Sequence, residues 1–250
     1  MKRRDFSLAA SALVAAGGLA GKLASAQAAR PVAGTDYLQL SKPAAVDAGP
    51  DRIEVIEFFW YSCPHCNLFE PKLEAWAKQL PSDVSLRRVP VGFRDNFVPE
   101  QRLYYTLEAM GRLGDLHRKV FLTIHAERQN LNNPQAIADW AAKQGLDRAK
   151  FMEQFNSFGV ATKARRATQL QEQYEVQGVP AMGVAGRYYT DGELAKNMDR
   201  ALLVTDYLIT QVRASMPPRP APTPAKAASS APAKAASARS RRASAASAPR

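Results

Sequence analysis

One stretch restricts this chain more than any other. The apolar run Ile53-Glu54-Val55-Ile56-Glu57-Phe58-Phe59-Trp60 is followed closely by Cys63-Pro64-His65-Cys66. The run is rich in β-branched and aromatic residues and reads as a buried parallel strand. After it, Phe69, Leu73, Trp76 and Leu80 recur at helical spacing. The pattern predicts a central strand that passes through a short turn into a helix, with both cysteines at the helix start. They are the only 2 cysteines in the chain.

A helix N-terminus offers unpaired N–H groups and a partial positive charge, so it stabilises an anion. In this spacing Cys63 falls at the helix start and Cys66 one turn inside, which makes Cys63 the more exposed thiol. The helix end favours its thiolate, and a protonated His65 in the same loop adds to the effect. A stabilised thiolate stabilises the reduced pair, so the Cys63–Cys66 disulfide is expected to be oxidising and Cys63 to leave readily from a mixed disulfide. Two other uses of the pair fit less well. Zinc needs more ligands, and His117 and His125 are far along the chain. A structural disulfide closing so short a loop would constrain the unfolded chain little.

Glu57 is out of place in an apolar strand. Were one face of the strand solvated, it would simply point outward. In a strand buried on both faces it becomes a carboxyl of raised pKa near the thiols, able to handle the proton of Cys66.

Residues 1–28 have the form of a cleaved export signal: Lys2-Arg3-Arg4, an apolar stretch from Phe6 to Leu23, and small-residue cleavage sites around Ala26 and Ala28. Arg3-Arg4-Asp5-Phe6 resembles a twin-arginine signal, and both that route and the general secretory one lead to an oxidising compartment. Residues 217–250 are Pro, Ala, Ser, Lys and Arg with one Thr, and Pro-Ala-Lys-Ala-Ala-Ser occurs at 224 and again at 232. Such a segment lacks the apolar content to pack, so disorder is expected. It is either a solvated tail or a weak adhesive for anionic lipid or envelope polymer.

The formal charge of +11 lies mostly in these two ends. The signal carries +3 and the tail +7, which leaves +1 for residues 29–216. A nearly neutral folded part gives no sign of a nucleic-acid-binding surface. Within it, Tyr37–Leu40 is a candidate edge strand, and Val84–Val91 reads as a strand that Pro90 either ends or places near an edge. Helices follow, opening at Pro99, near Leu113, after Asn133 and after Asp147, then a long one over Phe158–Tyr174. A hairpin over Gly186 and a closing helix from Asn197 complete the pattern. His117 and His125 read as ordinary helix residues.

Phe58-Phe59 with Cys63-Pro64-His65-Cys66, and later Gly178-Val179-Pro180-Ala181-Met182, closely resembles the DsbA-type periplasmic thiol:disulfide oxidoreductases over roughly residues 36–214. That family is itself a reference case for thiolate chemistry of this kind. The resemblance implies an α/β thioredoxin-like fold with an inserted all-α helical domain, divided as 29–96, 97–158 and 159–216. It implies the proton-handling role for Glu57, a redox-active Cys63–Cys66 disulfide and contributions from Pro64 and His65. It also implies a cis Val179–Pro180 bond beside the cysteines, leaving the backbone at Val179 to pair with an extended substrate peptide. The alternative is a trans proline in a loop.

The expected activity is oxidation of reduced exported proteins by a monomer needing no metal or organic cofactor. A DsbB-type quinone-linked membrane oxidase would reoxidise it. A reductase or isomerase, or a non-catalytic peptide-binding module, are the alternatives. One departure is Gly183, where the family usually has a bulkier apolar residue, so looser packing is expected near the substrate groove.

Overall fold

The computed structural model describes residues 30–217, so the expectations for the export segment and the basic tail fall outside it. The run Ile53–Phe59 is strand β2, buried at every position. It pairs in parallel with β3 (Val84–Pro90) and antiparallel with β4 (Ala181–Val184). Beyond β4 lie β5 (Tyr188–Asp191) and the short β1 (Leu38–Gln39), giving the order β1-β5-β4-β2-β3. The sheet is mixed, with β3 as an edge strand that tolerates Pro90.

Because side chains alternate across a strand, β2 serves two cores. Ile53 and Val55 pack with Phe69 and Leu73 of helix α1 (Pro64–Ala77) and with Ala201 and Leu208 of α7 (Met198–Ser215). Ile56 and Phe58 face the larger cluster, which includes Leu103, Phe121, Phe151 and Leu170. Those residues come from α2 (Val98–Ala109), α3 (Leu113–His125), α5 (Arg148–Phe155) and α6 (Phe158–Gln173), with α4 (Pro134–Lys143) packed among them. The chain thus has a thioredoxin-like α/β unit with a helical insertion between β3 and the return helix α6.

Local chemistry sets the helix starts. Asn133, Asp147, Ser157 and Asn197 each accept the backbone N–H three residues ahead, at 2.9, 2.9, 3.2 and 2.9 Å. Pro71 lies inside α1 and has no N–H to offer the carbonyl of Asn67. Arg118 of α3 reaches that residue instead, its Nη1 donating to Asn67 Oδ1 at 2.8 Å and lying 3.4 Å from the carbonyl oxygen.

The β4–β5 hairpin turns at Ala185 and Gly186, with φ of 52° and 65°. A Cβ at Gly186 would lie 2.4 Å from the Ala44 carbonyl, so this position needs glycine for space as well as backbone conformation. Gly183 overturns the expectation of loose packing. A Cβ there would lie 2.4 Å from Tyr174 Cε1, because the buried Tyr174 ring fills the space a larger residue would take. The ring is fixed by Gly186 N–H donating to its hydroxyl at 2.9 Å and by edge contact with Phe58. Gly183→Ala should therefore cost about 1–3 kcal/mol through overpacking. Urea unfolding of the variant measures this, and an unchanged midpoint would show that the ring can yield.

Candidate active site

Cys63 is the N-cap residue of α1, with Pro64 in the first turn. Its sulfur accepts the Cys66 N–H at 3.4 Å and lies 3.4 Å from the Val179 carbonyl, to which its thiol donates. The Val179–Pro180 bond is cis. Cys63 is the more accessible sulfur, as the spacing predicts, but at 6% against 0% for Cys66 it is largely covered. His65 is exposed beside it. His65, Val179, Pro180, Glu193, Lys196 and Met198 line a groove of about 480 Å³ next to the pair.

Both cysteines are free thiols here. The thiol of Cys63 is lowered from 9.0 to about 6, first by hydrogen bonding from the Cys66 thiol, which outweighs burial. The backbone N–H groups of Cys66 and His65 add to this, and the charge of His65 contributes least. The helix end thus acts as expected, while the neighbouring thiol matters more than the histidine. Burial pushes Cys66 well above its ordinary value, and its bond to Cys63 and the charge there push it further.

Glu57 points to the α1 face of β2 and is fully buried, which excludes the outward-facing reading. Arg88, its register partner on β3, comes within 3.3 Å of Oε2, but neither Glu57 oxygen has an aligned hydrogen bond. Burial first, then the charge of Glu70, raise the Glu57 carboxyl well above its range, against the pull of Arg88. Arg88 gives its two-pronged contact to Glu70 of α1 instead, through Nη2 to Oε1 and through Nε to Oε2 at 3.4 Å. Burial works against the Glu70 carboxylate, but His117 and Arg88 outweigh it and hold its pKa below the usual value. One cation for two buried carboxyls leaves one of them neutral, and the geometry selects Glu57.

His117 and His125 are not ordinary helix residues. His117 is buried, and its Nδ1 lies 2.8 Å from the Tyr61 hydroxyl, the residue two before Cys63. Burial lowers its pKa, so it is neutral, and with Tyr61 donating to Nδ1 its Nε2–H faces Glu70 Oε1 at 3.5 Å. His125 Nε2 donates to the Tyr61 carbonyl at 2.8 Å. Glu100 of α2 accepts from Ser62 twice, from its N–H at 3.0 Å and its hydroxyl at 2.6 Å. Burial raises the Glu100 carboxyl to about 7, with the Ser62 bonds opposing.

Sequence reading missed Glu70, Arg88, His117, His125 and Glu100 as neighbours of the site. One signal was present: Glu70 lies four residues after Cys66, on the same buried face of α1.

A thiolate at a helix start, a shielded partner thiol one turn inside and a proline loop against the sulfur, on a thioredoxin-like sheet, define a thiol:disulfide oxidoreductase. Comparison with known proteins narrows the class. Residues 54–202 match the DSBA-like thioredoxin domain, and the chain belongs to that family. It is 47% identical over 202 residues to the thiol:disulfide interchange protein DsbA of Bordetella parapertussis, covering 80% of this chain and 96% of the relative. The DsbA of Pseudomonas aeruginosa is 40% identical over 190 residues, covering 76% and 90%. The crystal structure of that Pseudomonas protein superposes with a TM-score of 0.70 at 40% identity, over 74% of this chain and 96% of the other. That of the Xylella fastidiosa oxidoreductase DsbA gives 0.69 at 30% identity, over 74% and 99%.

Thiolate absorbance at 240 nm in the reduced protein should titrate with a midpoint near 6. A depressed pKa stabilises the reduced fold increasingly as pH rises from about 6 toward 9, and that stability is lost as pH falls through 6. The oxidised protein has no such group. The stability gap between reduced and oxidised forms should therefore widen with pH across this window, which paired urea titrations will measure.

Proposed function

We propose that this chain is a periplasmic protein disulfide oxidase that donates the Cys63–Cys66 disulfide to reduced exported proteins. The observation that carries the reading is the stabilised Cys63 thiolate at the start of α1, with its sulfur against the Val179 carbonyl. In the oxidised protein a substrate thiolate attacks Cys63 Sγ. The Cys63–Cys66 bond breaks, a mixed disulfide forms and Cys66 leaves as a thiolate that takes up a proton. A second substrate thiolate then attacks the substrate sulfur of the mixed disulfide. The substrate disulfide forms, Cys63 leaves as its stabilised thiolate, and two electrons now reside on the enzyme pair.

Glu57 is the proton source for Cys66 in this reading, since its carboxyl is held protonated beneath the pair. The groove beside His65, Val179 and Pro180 receives the substrate chain in extended form. The enzyme acts as a monomer, divided as 29–96 and 159–216 around 97–158, without metal or organic cofactor. Residues 1–28 direct it to the periplasm by the general secretory or twin-arginine route and are then cleaved, and a DsbB-type quinone-linked membrane oxidase restores the disulfide. Among the described residues no helix is long and apolar enough to cross a membrane. The basic composition of residues 217–250 suits contact with anionic envelope surfaces.

The deciding test is equilibrium of the mature protein with glutathione buffers, followed by tryptophan fluorescence. A pair that remains reduced in mildly oxidising buffer supports the donor role. A disulfide that persists in reducing buffer would move the assignment to a reductase, and full activity in Cys63→Ser would move it to a binding module.

Glu57→Gln should slow exchange at Cys66 by about a hundredfold. A raised pKa also means that the fold binds a proton the unfolded chain releases near 4.5, so Glu57 costs stability as pH rises above that value. The Gln variant should lose that part of the slope between pH 5 and 8. Unaltered thiol exchange would return Glu57 to a structural role.

A further inference from the structure

We propose that Glu100 is a positioning residue for the reactive sulfur: by gripping Ser62 it holds the turn that presents Cys63 to the N-terminus of α1. Both Glu100 oxygens are spent on Ser62, one on the backbone N–H at 3.0 Å and the other on the hydroxyl at 2.6 Å. The side chain is 1% exposed, and no other hydrogen bond to it occurs among the described residues. A carboxyl buried at this cost, with a single partner, sits where it does for the sake of that partner.

The partner is the residue before the nucleophile. The Cys63 N–H donates to the Trp60 carbonyl at 3.1 Å, so residues 60–63 form one tight turn. Its middle is held on one side by His125 on the Tyr61 carbonyl and by His117 on the Tyr61 hydroxyl. Glu100 holds the last residue before the sulfur. Cys63 must keep φ of −81° and ψ of 118°, off the helical region, for its side chain to turn back and accept from Cys66 N–H at 3.4 Å. Hydrogen bonds to sulfur that long and directional fade with small rotations of the turn. A grip on the adjoining peptide is therefore a grip on the donors that stabilise the thiolate. The inserted helices act on the redox pair through this contact, since Glu100 belongs to the first turn of α2 and Ser62 to the sheet-to-helix turn.

The inference rests on Cys63 being the stabilised thiolate, and the test separates the two. Reduced protein is titrated at 240 nm and equilibrated with glutathione buffers, with urea unfolding run in parallel. Glu100→Ala should raise the Cys63 midpoint by about one unit and lower the oxidising equilibrium constant by up to about tenfold. Glu100→Gln keeps an oxygen for the Ser62 N–H and an amide group for its hydroxyl, so it should restore both readouts to within about threefold of the parent. Ser62→Ala removes only the hydroxyl bond and should move the midpoint in the same direction by less.

Loss of stability in Glu100→Ala with an unmoved titration and equilibrium would overturn the proposal. So would a rise in Glu100→Gln as large as in Glu100→Ala, since an acceptor kept for the Ser62 N–H would then make no difference. A lowered midpoint in both would overturn it too, since loss of a nearby negative charge rather than of a grip would then be at work. Should Glu100→Ala fail to fold, an unmoved titration in Ser62→Ala overturns it and a raised midpoint supports it. A parent protein whose Cys63 titrates near 9 would overturn the site reading and this inference together.

Discussion

The concentration of hydrogen-bond donors on one sulfur atom is the constraint to which the other parts of the structure answer. The Cys66 thiol and the N–H groups of Cys66 and His65 all converge on Cys63, where no helical partner competes for them. That convergence requires a strand ending at Phe59 and a helix beginning at Pro64, with a turn of fixed shape between them. The fully buried β2 supplies the base, and the loop of Val179 and Pro180 closes over the sulfur from the other half of the sheet. Access is given up in exchange, since the reactive atom is almost covered in the reduced form.

Beneath the pair, a shortage of positive charge does chemical work. Arg88 can balance one carboxylate, and its planar guanidinium is committed to Glu70. Neutral His117 adds dipole but no cation. Glu57 is thereby left uncharged at neutral pH in a place water does not reach. Cys66 and Glu57 thus hold their protons at a pH where Cys63 gives its own up. This division of protonation states within one small volume distinguishes the two thiols more sharply than their spacing in the chain does.

Much of this was legible in the sequence because it is local. The strand, the turn and the helix start are contiguous, and the capping residues Asn133 and Asp147 act within three positions of themselves. The thioredoxin-like class and the proline loop were legible from paired motifs. What was not legible depends on contacts across the chain. Glu100 looks like any acid in a first helical turn, and its partner lies 38 positions away. His117 and His125 fit their helix by spacing alone, yet they reach Tyr61 across 56 and 64 positions. Arg88 reads as a polar residue on an edge strand, and only the register of β3 against β2 places it beside Glu57. Gly183 was misread because the ring that fills its space belongs to a helix-terminal residue with no sequence relation to the strand.

That last contact has a consequence for recombination between relatives. Gly183 and Tyr174 divide one fixed volume between them, so the two positions cannot vary independently. A hairpin transplanted from a protein with a larger residue at 183 would arrive against a ring already in place. The return helix and the hairpin therefore form one exchangeable block. A chimaera joined between them inherits two claimants for the same space.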